Sequence, residues 1–218
     1  MVPFPNRRQA GRLLAAELAT RRLGVNTVVL ALPRGGVPVG AEIAEVLKAP
    51  LDVLVVRKLG VPWQPELAMG AIAGGTRMLD HLLIRDLGVS DEEVEAVVAQ
   101  ETQELKRREE MYRGGLPAPH LRGCSAVLVD DGLATGSTMV AAARHVRSVH
   151  PERLIVAVPV ASSDACDRLR READECICLA EPAPFFAVGE WYIDFRQVSD
   201  AEVQQILNRR HSLSPPAK

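Results

Sequence analysis

The residues best suited to chemistry lie in Val127-Leu-Val-Asp-Asp-Gly-Leu-Ala-Thr-Gly-Ser-Thr138. An apolar run ends in two adjacent carboxylates, Asp130 and Asp131. A loop of small residues, Ala134, Thr135, Gly136, Ser137 and Thr138, then leads into a helical pattern. Successive backbone N–H groups at a helix N-terminus cradle a phosphate, and the helix dipole adds to the attraction. The hydroxyls of Thr135, Ser137 and Thr138 can donate to the same oxygens. The two carboxylates can accept from vicinal sugar hydroxyls and organise a magnesium ion. The chemistry that fits is recognition of a phosphorylated sugar. No Lys precedes Ser137 or Thr138, so this is not a Walker loop, and the glycines lack the spacing of a dinucleotide fingerprint.

Three further segments invite the same kind of reading. Leu32-Pro-Arg-Gly-Gly-Val37 follows an apolar run. Its glycines permit close approach of the backbone to an anion, and Arg34 offers a fixed charge with several donors. Val55-Val-Arg-Lys-Leu59 places Arg57 and Lys58 after another apolar run, where cations suit a densely charged ligand. The chain has two Trp, two Tyr and four Phe, and five of these eight lie between Phe185 and Phe195. A flat apolar patch of that kind suits a nucleobase. Each segment also has a plainer reading: an ordinary turn, a solvated basic pair, and a satellite core under the last helix.

The elements that must position these groups alternate in type. Asn6 caps a helix running to about Leu23, and Thr27–Leu32 reads as a buried strand. Val37–Leu47 reads as a helix and Leu51–Val56 as a second buried strand. Met69–Ala73 and Leu82–Ile84 are weaker strand candidates. Ser90-Asp-Glu-Glu93 fits a capping box. It opens a long charged helix to about Tyr112 whose sparse apolar positions predict an exposed or lid-like element. Ala126–Val129, Leu154–Val160 and Cys176–Leu179 read as strands. Helices are expected at about Gly136–His150 and Ser163–Glu172, and from a Ser199 cap to about Arg209. Buried strands alternating with helices predict an α/β fold, a parallel sheet flanked by helices on both faces. In such sheets ligands bind beyond the carboxyl ends of the strands.

Composition narrows the classes. The chain has 218 residues, is 47% hydrophobic and 25% charged, and carries a formal net charge of −2. That argues against a disordered chain and against binding nucleic acid through bulk charge. No apolar run reaches the length of a membrane span, and no signal-peptide core follows the first basic residues. The cysteines (Cys124, Cys166, Cys176, Cys178) form neither a disulfide framework nor a zinc spacing, and the histidines show no HExxH. A reduced, cytoplasmic protein without a structural metal is the expectation. The tail from Ser212 is of low complexity and is expected to fray.

The first motif resembles the phosphoribosyl-pyrophosphate (PRPP) signature of the type I phosphoribosyltransferases: hydrophobic residues, two acids, a short spacer, then Thr-Gly-x-Thr. The order of elements is similar from about Val28 to Leu179. The resemblance implies a Rossmann-like parallel sheet with a small C-terminal hood. It implies one domain over 1–218, with a core at about 24–180, an inserted lid or arm at about 60–119 and the hood at about 181–210. It also implies transfer of the 5-phosphoribosyl group of PRPP to a nitrogenous base, magnesium as cofactor, release of pyrophosphate, and a homodimer. Neither nucleic acid nor a membrane is an expected partner.

By that resemblance Asp130 and Asp131 hold the ribose hydroxyls and, through them and water, the metal. Ala134 to Thr138 hold the 5′-phosphate. Arg34, Gly35, Gly36, Arg57 and Lys58 hold the pyrophosphate, and Asp130, Asp131, Arg34 and Lys58 form the catalytic set. Phe186, Val188, Trp191 and Asp194 are base-binding candidates in a segment similar to the hood of hypoxanthine-type enzymes. Ala134 stands where those enzymes carry an Asp, and no hood Lys precedes Phe185, which weighs against a 6-oxopurine. Glu66 is a candidate acid–base group, with a surface carboxylate as the alternative. The family fold also serves as a non-catalytic PRPP or nucleotide sensor, which is the competing reading. A hydrolase finds no GxSxG elbow in support.

Overall fold

The computed structural model describes residues 2–24 and 26–213, with side chains through Arg209; the tail from Ser214 lies outside the described residues. Among the described residues five strands form a parallel sheet: β1 Thr27–Ala31, β2 Leu51–Val53, β6 Ser125–Val129, β7 Arg153–Val160 and β8 Glu175–Ala180. Their order across the sheet is β2-β1-β6-β7-β8. Around it lie α1 Arg7–Ala19, α2 Gly36–Leu47, α5 Ser137–Ser148, α6 Ser163–Leu169 and α7 Asp200–Leu213.

The two-residue period of the strands sorts the core into two layers. Val29, Ala31, Val127, Val129, Ile155 and Ala157 point to one face, against Leu14 and Leu18 of α1, Ile43 of α2 and Leu207 of α7. Their neighbours Val28, Leu30, Ala126, Leu128, Leu154 and Val156 point to the other, against Met139 and Val146 of α5 and Leu169 of α6. Both faces are covered, which is why the strands read as unbroken apolar runs.

From β1 the chain moves outward to β2, and from β6 it moves the opposite way to β7 and β8. The switch point therefore falls between β1 and β6, whose residues pair in register from Thr27 with Ser125 to Ala31 with Val129. The loops leaving these two strands diverge there and open a crevice. They are the Pro-Arg-Gly-Gly loop and the double-carboxylate loop.

Between β2 and β6 the chain builds a second layer. It consists of a three-stranded antiparallel sheet, β3 Val56–Val61, β4 Gln64–Ala73 and β5 Thr76–Leu79, followed by α3 His81–Leu87 and α4 Asp91–Arg113. The Gly74-Gly75 turn between β4 and β5 has φ of +51° and +84°, a region that glycine enters without a Cβ penalty. Three expectations change here. The run Leu51–Val56 is not one strand: β2 ends at Val53, and Val56 begins β3 of the other sheet. Leu54 and Val55 stay buried across the change of direction, so hydrophobicity alone could not reveal it. Leu82–Ile84 is helical, because the Asp80 side chain accepts from Leu83 N at 3.0 Å and starts α3. Finally, α4 is not an exposed rod. Its capping box forms as expected. One face then buries Val94, Val98, Leu105 and Tyr112 in the same core layer as β1 and α2.

Candidate active site

The site is built on two acids. Asp130 and Asp131 follow directly after β6. The Asp130 side chain accepts from Asp131 N at 2.8 Å, which fixes the turn. Asp131 is held from two directions. Arg7 Nε donates to its Oδ2 at 2.7 Å, and Tyr192 Oη donates to its backbone carbonyl at 2.5 Å. Burial pushes the Asp130 carboxyl well above the usual range, and the neighbouring Asp131 charge pushes it further. Asp131 is also raised by burial, although the Arg7 guanidinium opposes the shift. A half-buried acidic pair with one cation beside it has unspent demand for positive charge and hydrogen-bond donors.

The Pro-Arg-Gly-Gly loop presses against this pair. A Cβ on Gly35 would lie 2.0 Å from Asp131 Oδ2, and one on Gly36 would lie 2.6 Å from the Val129 carbonyl oxygen. Only glycine lets the two loops approach so closely. The Pro33–Arg34 peptide is cis. The Arg34 guanidinium lies 3.7 Å from Asp200 at the start of α7. Asp200 also accepts from Tyr112 of α4 at 2.6 Å.

The phosphate loop lies on the other side of the acids. Gly136, at φ +71°, turns the chain into α5, whose first N–H groups have no intrahelical acceptor. Thr135 Oγ1 and Ser137 Oγ are 3.2 Å apart at the helix mouth. Ser162 Oγ donates to the Ala134 carbonyl at 2.6 Å and Arg168 to the Thr135 carbonyl at 3.4 Å, so both ends of α6 brace the loop. A cavity of about 680 Å³ opens beside it, lined by Ser137, Thr138, Lys58, Arg144, Arg168 and Arg171. That is room for a small phosphorylated ligand; Asp80 and Glu172 share the walls with the four cations, and Glu172 pairs with Arg144 at 2.6 Å.

The basic pair divides. Side chains alternate along β3, so Arg57 and Lys58 point oppositely. Lys58 is exposed and faces Ser137 and Thr138 across the cavity. Arg57 is turned to α4 and pairs with Glu101 at 2.6 Å. Of the hood candidates, Val188 packs nearest the acids. A Cβ on Gly132 would lie 2.5 Å from Val188 Cγ1. Trp191 has a buried indole nitrogen without a hydrogen-bond partner. Phe186 is 76% exposed and does not close over the crevice. Asp194 is engaged by Arg196 at 2.7 Å, which holds its carboxyl down at about 2. Glu66 is exposed near the β3–β4 turn.

The sequence matches the phosphoribosyl transferase domain model over residues 5–193. The chain belongs to the phosphoribosyl transferase family. Two Mycobacterium tuberculosis proteins, from strains CDC 1551 and H37Rv, carry that name provisionally and are each 49% identical to it over 209 residues. The match covers 95% of this chain and 47% of each of theirs, so the chain spans about half the length of these curated relatives. The crystal structure of a Thermus thermophilus protein superposes with a TM-score of 0.84 at 44% identity, covering 96% of this chain and 99% of that one.

Within this site, two residues carried no motif. Arg7 precedes every recognisable segment, and Tyr192 reads as one more aromatic in the hood. They reach Asp131 because the start of the chain pairs with the hood: Phe4 N donates to the Trp191 carbonyl, and Ile193 N to the Phe4 carbonyl, each at 2.8 Å. Arg7 then stacks on Phe195, its guanidinium carbon 3.9 Å from the ring centroid. The one legible signal was composition: five of the eight aromatics fall between Phe185 and Phe195, Tyr192 among them.

Proposed function

We propose that this chain transfers the 5-phosphoribosyl group of PRPP to a small nitrogenous base and releases pyrophosphate. One observation carries the reading. Two half-buried acids stand between a helix-mouth phosphate loop and a glycine loop bearing Arg34, with Lys58 lining the cavity beside the helix mouth. Phosphate, ribose and pyrophosphate would each meet matching groups in that order along the crevice.

In this reading the N–H groups and hydroxyls of Ala134 to Thr138 hold the 5′-phosphate and fix the sugar. Asp130 and Asp131 accept from the ribose 2′- and 3′-hydroxyls, which orients C1 toward the pyrophosphate side. Arg34, Lys58 and the amides of Gly35 and Gly36 stabilise the charge that builds on the departing pyrophosphate. Such charge stabilisation is commonly the largest contribution to catalysis. The base adds through a ring nitrogen at C1 as the C1–oxygen bond breaks. Arg57, paired with Glu101, takes a lesser part in this reading than Lys58.

Magnesium fits the donor set, because burial alone already raises both carboxyls and a cation linked through the ribose hydroxyls relieves that cost. When bound, the ion supplies charge neutralisation for the pyrophosphate. Among the described residues no helix is long and apolar enough to cross a membrane. A cytoplasmic homodimer belongs to the same reading and is inherited from the family resemblance.

The test is pyrophosphate release from PRPP with magnesium against a panel of nucleobases. Release that depends on one base supports the transferase. Tight PRPP binding with no turnover across the panel would instead favour the sensor.

A further inference from the structure

Three of the four cysteines meet at the outer edge of the parallel sheet, away from the acids. Cys166 lies on α6 and is fully buried. Cys176 and Cys178 are two apart on β8, so both thiols leave the strand on the same side and pack against the layer that holds Cys166. The Sγ atoms of Cys166 and Cys178 and a carboxylate oxygen of Glu181 all lie within 4.8 Å of one another.

We propose that Cys166, Cys176, Cys178 and Glu181 form a structural zinc site that clamps α6 to the edge strand β8. A tetrahedral zinc with bonds of about 2.3 Å to sulfur needs donor–donor edges of about 3.8 Å, and zinc favours thiolates. Three donors, Cys166, Cys178 and Glu181, already lie within 4.8 Å of one another, and Cys176 on the same side of β8 supplies the fourth. Glu181 is held among the thiols by Arg170, which donates to its Oε1 at 2.5 Å. Zinc would enter by displacing the thiol protons to solvent.

The site has a structural consequence independent of the catalytic reading. Ser162 caps α6 and also donates to the Ala134 carbonyl, while Arg168 of α6 reaches the Thr135 carbonyl. Fixing α6 to β8 fixes the brace of the phosphate loop. Spacing in the chain hides this cluster, because the third thiol comes from a helix ten residues before the Cys176-x-Cys178 pair.

The test is a cobalt(II) titration of the full chain with its thiols reduced. The expected result is one equivalent bound with thiolate-to-metal charge transfer and the ligand-field bands of a tetrahedral site, displaced by equimolar zinc. Cys178→Ser and Cys176→Ser, both half-buried positions, should each weaken binding at least tenfold, with circular dichroism confirming the fold. Cys124→Ser should leave binding unchanged. The proposal is overturned if the fully reduced protein shows no thiolate charge transfer. It is equally overturned if the Cys166→Ser/Cys178→Ser double variant keeps the spectrum.

Discussion

Arg7 and Asp131, 124 residues apart, form an ion pair of 2.7 Å whose side chains are only 11% and 14% exposed. The pair couples the first helix to the end of β6. It also holds one oxygen of the carboxylate proposed to meet the ribose. Removing one partner of a nearly buried pair leaves the other charge stranded, at a cost of about 3 kcal/mol. Arg7→Met should therefore lower the melting temperature markedly. Arg7→Met/Asp131→Asn should recover part of the loss, and a double-mutant cycle by thermal denaturation measures the coupling. Strict additivity of the two substitutions would contradict the account.

The acid pair should make the protein less stable as pH rises. The folded-state pKa of Asp130 lies above its unfolded value, so the folded chain binds that proton more tightly. Stability is then greatest near the ordinary carboxylate range and falls as pH climbs through the raised pKa. Asp130→Asn should raise the melting temperature at neutral pH and flatten the fall in stability that begins as pH rises above the ordinary Asp pKa of about 3.9. The difference between wild type and variant isolates this group from the other carboxylates.

Asp131→Asn should cut PRPP turnover at least tenfold, equivalent to about 1.4 kcal/mol of transition-state stabilisation. Steady-state kinetics at saturating base reads the effect. Unchanged turnover would remove Asp131 from the site.

Arg57 and Lys58 should behave differently although they are adjacent. Lys58→Ala should raise KM for PRPP about tenfold, the loss of one charge-assisted contact. Arg57→Ala should change KM little and lower stability by about 1 kcal/mol, since it loses a partly buried pair with Glu101. Comparing the two under the same conditions separates ligand binding from packing.

Gly35→Ala should abolish PRPP binding. The new methyl would stand 2.0 Å from Asp131 Oδ2, so either the glycine loop or the acid must move. Wild-type affinity in this variant would show that the two loops do not act together.

Much of this was legible in the chain itself. The double acid, the Thr-Gly-Ser-Thr loop and the buried strands stand together in sequence, so local pattern and fold coincide there. The second layer was less legible. The apolar run from Leu51 to Val56 crosses from one sheet to another without a break in hydrophobicity. The apolar trio Leu82 to Ile84 fits helix and strand equally until the Asp80 cap decides. The burial of α4 is hard to read because its apolar residues are sparse among 23 positions, although Val94, Val98, Leu105 and Tyr112 fall on one face. Arg7, Tyr192 and the three-cysteine cluster were hidden for another reason. Each depends on contacts between distant segments, which no local window contains.

The most direct test of the central claim is calorimetric titration of PRPP into the protein, with and without magnesium, in wild type and Asp130→Asn/Asp131→Asn. We predict saturable binding that magnesium strengthens and the double variant abolishes. Absence of binding at millimolar PRPP, or equal binding by the variant, would contradict the assignment of the double-acid loop as the phosphoribosyl site.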